Sequence, residues 1–265
     1  MNNYDILKNK KLFVLDMDGT IYLEEKVIQG AIEFIQILKE QDKDYLFFTN
    51  NSSKSPSIYY EKLNRLGFYA PIEKIVTSGD VTIEFLKTQR PKKSVYLLGT
   101  QALIKSFEDN GIVINDKNPD IVVIGFDITL TYEKIDKACH FIRNGAEFIA
   151  THPDVNCPAE KGFLPDCGAM CAMIEASTEK SPRYLGKPHV ETINTILERT
   201  GLSKGEIAVV GDRLATDIAM GFYHQVTSIL MLTGATSRAD LVYSEIKPDF
   251  VFDSIKELAL VMKRE

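Results

Sequence analysis

The 265-residue chain has no tryptophan, and only four histidines and four cysteines. Cys139, Cys157, Cys167 and Cys171 include no C-x-x-C pair, so neither a zinc ribbon nor a disulfide framework is written into the spacing. Cys167 and Cys171 stand four apart and can share a helical face, where thiols usually pack. A reduced, cytoplasmic setting is the simplest expectation. No apolar run approaches the ~20 residues that span a bilayer, and Met1-Asn2-Asn3-Tyr4-Asp5 has neither the basic nor the apolar region of an export signal. An excess of positive charge is missing too, with 31 Lys and Arg against 37 Asp and Glu and a net charge of −6. That balance argues against a nucleic-acid grip through the overall field. It leaves an anionic substrate open, because one metal ion and one lysine can reverse the potential inside a cleft.

What is present is an ordinary globular composition, 45% hydrophobic and 26% charged, long enough for one large or two ordinary domains. Strand-like runs fall at Leu12–Leu15, Tyr45–Phe48, Ile75–Thr77, Ser94–Leu98, Ile121–Ile124, Glu147–Ala150, Ile207–Val210, Ser228–Leu232 and Phe250–Phe252. Helical spacing recurs at Ala31–Lys39, Ile58–Leu66, Thr131–Arg143, Met170–Ser177 and Val190–Arg199. The alternation predicts a parallel α/β architecture. Several strands end in polar residues: Asp16 follows Leu15, Thr49-Asn50-Asn51 follow Phe48, and Gly211-Asp212 follow Val210. Ligands of open parallel sheets bind outside the carboxyl ends of the strands, which makes these residues functional candidates.

The segment Asp16-Met17-Asp18-Gly19-Thr20 concentrates the chemistry. Carboxylates at i and i+2 of an extended chain face the same way, about 6–7 Å apart. They repel unless a cation lies between them or one holds a proton. One acid can then attack while the other moves a proton, with a hard cation such as Mg²⁺ organising the pair. An Asp-x-Asp-Gly turn closing a strand is the plain structural alternative. A calcium loop is disfavoured, since position 20 is Thr and no Glu closes the loop.

Three more elements follow in order: Thr49-Asn50-Asn51-Ser52-Ser53, Gly186-Lys187-Pro188, and Gly211-Asp212-Arg213-Leu214-Ala215-Thr216-Asp217. Each has a modest structural reading: Lys187 as an exposed helix-start lysine, Thr49–Ser53 as a turn and cap, Asp217 as a first-turn acid, Arg213 as an ion-pair partner. Taken together the four resemble the motifs of the haloacid dehalogenase-like phosphohydrolases, most of all the NagD-like branch. The resemblance covers nearly the whole chain. It implies a Rossmann-like parallel-sheet core, residues 1–79 and 185–265, with a large α/β cap inserted at 80–184.

The resemblance also implies roles. Asp16 would be the nucleophile that forms an aspartyl-phosphate, and Asp18 the general acid and base. Asp16, the backbone carbonyl of Asp18, and Asp212 would hold Mg²⁺, with Asp217 supporting the metal. Thr49, Asn50, Asn51 and Lys187 would bind the phosphoryl group. Thr151-His152-Pro153-Asp154 is similar to the branch's Thr-Asn-Pro-Asp, with His152 in place of Asn. The loop Leu164-Pro165-Asp166-Cys167-Gly168-Ala169 departs at Asp166 and Cys167 from the glycine-rich stretch of relatives. His152, Asp166 and Cys167 are therefore the candidates for substrate selection. The expected activity is Mg²⁺-dependent hydrolysis of a small phosphorylated metabolite, a sugar phosphate or nucleotide. Neither membrane nor nucleic acid is an expected partner, and a homodimer stays open. A phosphomutase, or a phospho-ligand sensor on the same fold, is the competing reading.

Overall fold

The computed structural model describes residues 4–159 and 162–263. Each of the nine apolar runs forms a strand. The strands are β1 (Leu12–Asp16), β2 (Tyr22–Leu23), β3 (Lys26–Val27), β4 (Asp44–Thr49), β5 (Ile75–Thr77), β6 (Val95–Leu98) and β7 (Ile121–Ile124). They continue as β8 (Glu147–Ala150), β9 (Asn156–Ala159), β10 (Gly162–Pro165), β11 (Arg183–Tyr184), β12 (Ile207–Gly211), β13 (Thr227–Met231) and β14 (Phe250–Phe252).

The chain forms two compact units. The first comprises Met1–Thr49, Ser57–Val76 and Ile193–Glu265, the second Asn50–Pro56 and Thr77–Thr192.

The first unit holds a six-stranded sheet in the order β14-β13-β12-β1-β4-β5. β1 pairs in parallel with both β12 and β4, and β13 with both β12 and β14. From β1 the chain builds outward through β4 and β5, then returns to build the other way from β12. The topological switch point therefore lies between β1 and β12, and a ligand of such a sheet belongs at the carboxyl ends of those two strands. β1 is buried along Leu12–Leu15 and loses that cover at Asp16, so the continuous apolar run ends where the chemistry begins.

One face of the sheet is covered by the helices Ala31–Glu40 and Ile255–Lys263, packed on each other. Phe34 lies fully buried there, edge-on to Phe13 with ring centroids 5.5 Å apart. Phe34→Ala is expected to cost about 3–5 kcal/mol, because the lost transfer energy is joined by a cavity the sheet cannot close. Urea unfolding measures this, and an unchanged midpoint would remove Phe34 from the anchors of the core.

The second unit carries a four-stranded sheet in the order β11-β8-β7-β6 and a separate hairpin of β9 and β10. β7 pairs in parallel with β6 and β8, and β11 with β8. Its core joins Leu98, Val122, Ile124, Phe148 and Ala150 to Cys167, Cys171 and Ile174 of the helix Cys167–Thr178.

Two stretches differ from the sequence reading. Ser78-Gly79-Asp80, across the core–cap boundary expected at 79/80, opens the helix Ser78–Gln89, and Thr77 and Asp80 cap it reciprocally. Leu164–Ala169 is not a free loop. Leu164 and Pro165 end β10, and Asp166 caps the helix that starts at Cys167.

Candidate active site

The buried Met17 anchors the turn after β1, where its carbonyl accepts the N–H groups of Thr20 (3.3 Å) and Ile21 (3.0 Å). The period-2 geometry then puts Asp16 and Asp18 on the other side, Asp16 half-buried and Asp18 exposed. Gly19 takes φ +87°, and its N–H donates to the Tyr22 carbonyl at 2.8 Å. A Cβ at Gly19 would lie 2.5 Å from Asp212 Oδ2, so the turn needs glycine for conformation and for space.

Asp212 follows β12 and is 3% exposed. The segment Thr233–Thr236, just beyond β13, grips it. The Ala235 N–H donates to Asp212 Oδ2 at 2.6 Å, and the Thr236 N–H to the Asp212 carbonyl at 3.2 Å. The Thr233 hydroxyl ties the same segment to the Gly19 carbonyl at 2.6 Å. Asp217 rides on a π-helical turn, Leu214–Ile218, which directs its carboxylate back to the start of the motif. Asp217 Oδ2 accepts the Arg213 N–H at 3.3 Å, and a Cβ on Gly211 would overlap its carboxyl group.

Carboxylate oxygens of Asp16, Asp212 and Asp217 come within 4.8 Å of one another. With Asp212 and Asp217 buried, three like charges at this separation call for a cation. The donors are all oxygen, which suits a hard ion such as Mg²⁺. Asp18 is not among the carboxylates of this cluster. Burial chiefly, then the charges of Tyr59, Asp18 and Asp16, push the Tyr22 phenol well above its usual pKa. The negative field at this strand end therefore reaches its neighbours.

Thr49 closes β4 in the same unit as these acids. Asn50, Asn51 and Lys187 belong to the second unit. The Asn50 side chain brackets the backbone of Lys187, with Nδ2 donating to the Lys187 carbonyl and Oδ1 accepting its N–H, both at 2.9 Å. Lys187 is 2% exposed, unlike an ordinary helix-start lysine. Asn51 Oδ1 accepts the N–H (3.0 Å) and hydroxyl (2.7 Å) of Ser53 and so shapes the loop. His152, Asp166 and Cys167 are all buried in the second unit. Asp166 Oδ1 accepts the Cys167 N–H at 2.6 Å, and His152 lies at ion-pair distance from Asp154 and Asp166.

Thr233–Thr236 and Asp154 carry no role in the sequence motifs. The rule that singled out Asp16 and Asp212, a polar residue at a strand's carboxyl end, reaches Thr233 as well.

Residues 13–113 match a model of haloacid dehalogenase-like hydrolases, and residues 184–258 match a second, HAD-hydrolase-like model. An acid sugar phosphatase of Staphylococcus saprophyticus is 37% identical over 253 residues, 95% of this chain and 98% of that one. One from Staphylococcus aureus is 39% identical over 252 residues, 95% of this chain and 97% of its own length. Among solved structures, a 4-nitrophenylphosphatase from Thermotoga maritima superposes with a TM-score of 0.95 at 46% identity, covering 97% of this chain and 99% of that one. NagD from E. coli K-12 gives a TM-score of 0.87 at 32% identity, over 94% of this chain and 98% of NagD.

Proposed function

Because the chain belongs to the haloacid dehalogenase-like hydrolases, we propose that it hydrolyses phosphomonoesters of small metabolites, sugar phosphates first among them, through a phosphorylated Asp16. The observation that carries this reading is the placement of Asp16, with Asp212 and Asp217 beside it and Asp18 two residues on, at the switch point of the sheet. The activities for which the relatives are named, acid sugar phosphatase and 4-nitrophenylphosphatase, support the substrate class.

The chemistry follows from the residues. An oxygen of Asp16 attacks phosphorus, and the bond from phosphorus to the leaving oxygen breaks as that oxygen takes the proton of Asp18. Asp18, now a carboxylate, takes a proton from water as the water attacks the aspartyl-phosphate, which restores Asp16 and frees phosphate. Asp16, Asp212 and the Asp18 carbonyl would hold Mg²⁺, with Asp217 in support, and the ion supplies charge neutralisation for the acids and the phosphoryl group. The Thr49 hydroxyl and the Asn50 amide donate to phosphoryl oxygens, Asn51 shapes their loop, and Lys187 adds a positive charge. The inserted segment 80–184 takes the role of the cap that selects the leaving group. No helix among the described residues is long and apolar enough to cross a membrane. The four cysteines, none of them in a disulfide, support a reduced, cytoplasmic setting.

The test is phosphate release from an aryl phosphate and a panel of sugar phosphates, with Mg²⁺ and with EDTA. Metal-dependent release from both classes is expected. Release that EDTA leaves untouched would overturn the metal role, and no release from any ester would overturn the hydrolase reading.

A further inference from the structure

His152 and Asp166, fourteen positions apart in the chain, meet in the interior of the second unit. His152 is fully buried. Its Nδ1 lies 3.4 Å from Asp154 Oδ2, and its Nε2 lies 3.5 Å from Asp166 Oδ1. Asp154 in turn accepts a hydrogen bond from Asn50 Nδ2 at 3.2 Å, and the same nitrogen holds the Lys187 carbonyl at 2.9 Å. A continuous polar path thus runs from Asp166 through His152 and Asp154 to Asn50 and Lys187.

Packing fixes the path. A Cβ on Gly186 would approach the Thr151 carbonyl to 2.6 Å and both Asn50 Oδ1 and His152 Cβ to 2.8 Å, so the Lys187 loop lies directly against this histidine. A Cβ on Gly168 would overlap the Pro153 carbonyl, which sets the loop after β8 equally close to the helix that Asp166 caps.

We propose that His152 is a positioning residue whose imidazolium, clamped between Asp154 and Asp166, holds Asp154 on Asn50 and so orients Asn50 and Lys187 for phosphate. The inference rests on the phosphate-binding roles assigned above to those two residues. The groups facing His152 are Asp154 from the loop after β8, and Asp166 and Cys167 from the start of the helix. Burial alone would lower the imidazole pKa; Cys167, Asp154 and Asp166 override it and raise it to about 9. The folded value exceeds the ordinary value of 6.5, so the clamp is fully present below pH 6.5 and fades as pH rises through about 9.

His152, Asp154 and Asp166 also satisfy the distances of a metal-ligand group. Neither ring nitrogen has a hydrogen-bond partner among the described residues, and each has its own nearest carboxylate at ion-pair distance, 3.4 Å and 3.5 Å, which suits a charged imidazolium held between two acids.

The test uses the full-length protein labelled with ¹⁵N-histidine, with His152→Gln to assign the resonance. An imidazolium signal for His152 at pH 7.5, titrating near pH 9, is expected. Inorganic phosphate binding, read by calorimetry, is expected to weaken about 10-fold in His152→Gln, the usual scale for an outer partner of a binding group. KM for an aryl phosphate should rise in step, with kcat little changed. Asp166→Asn, a gentler change, should lower the His152 pKa and weaken phosphate in the same direction. In the wild type phosphate affinity should fall as pH passes about 9, with that step missing in His152→Gln. Three results would overturn the proposal: a neutral imidazole at pH 7.5, variants that lose thermal stability while keeping phosphate affinity, or a His152 signal that shifts on adding Zn²⁺ and returns with chelator. The resonance and phosphate binding need no turnover, so failure of the hydrolase reading is seen separately.

Discussion

Asp16→Asn is expected to reduce steady-state turnover by at least about 10⁴-fold, within the range seen when a covalent nucleophile is removed. The amide matches the carboxylate in shape but cannot attack phosphorus at a useful rate, and the remaining donors have nothing to deliver the phosphoryl group to. Folding should survive. Asp16 is half-buried at the end of β1, and the neutral side chain removes one of three negative charges that lie within 4.8 Å. The variant's thermal midpoint without Mg²⁺ should therefore equal or exceed that of the wild type. Acid-quenched incubation with a labelled phosphate ester should trap a phosphorylated wild-type protein and none in the variant. Appreciable residual turnover, or label retained in the variant, would remove Asp16 as the nucleophile.

The second large effect is expected at a residue outside the recognisable motifs. Gly234→Ala would set a Cβ 2.0 Å from Asp212 Oδ2 and 2.6 Å from its Cγ. The carboxylate cannot swing aside cheaply, because it is buried and the next residue's N–H grips Oδ2 at 2.6 Å. Either that hydrogen bond breaks or Asp212 leaves its place among the acids. Mg²⁺ affinity should drop by about 10–100-fold, the range typical when the support of a metal ligand is lost. Calorimetric Mg²⁺ titration measures this without turnover. Gly145→Ala is the control. Gly145 has φ +97° and open space around its Cβ position, so the change should cost about 1 kcal/mol through backbone strain and leave Mg²⁺ affinity alone. Equal Mg²⁺ affinity in both variants would mean that the Thr233–Thr236 segment does not set Asp212.

Much of this was legible in one dimension. The long strands announced themselves as short apolar runs, because a parallel strand buried on both faces has no polar side to interrupt it, as in Ile121–Ile124. The small hairpins β2–β3 and β9–β10 escaped notice. Their residues are few and largely exposed, so no burial imprints a pattern on them. Asp16, Asp18, Asp212 and Asp217 could be read from the sequence because strand ends and local spacing carry them.

The sequence by itself determined the α/β class, the acids, and the order of the motifs, since hydrophobic periodicity and residues two to five apart are local properties. Tertiary structure decided which distant residues hold them. It seated Thr233–Thr236 on Asp212, brought Asp166 against His152, and set Asn50 on Asp154 and Lys187. Those contacts join residues separated by up to 137 positions, as Asn50 is from Lys187. Such pairings depend on strand order and crossover geometry, which no local pattern in the chain encodes.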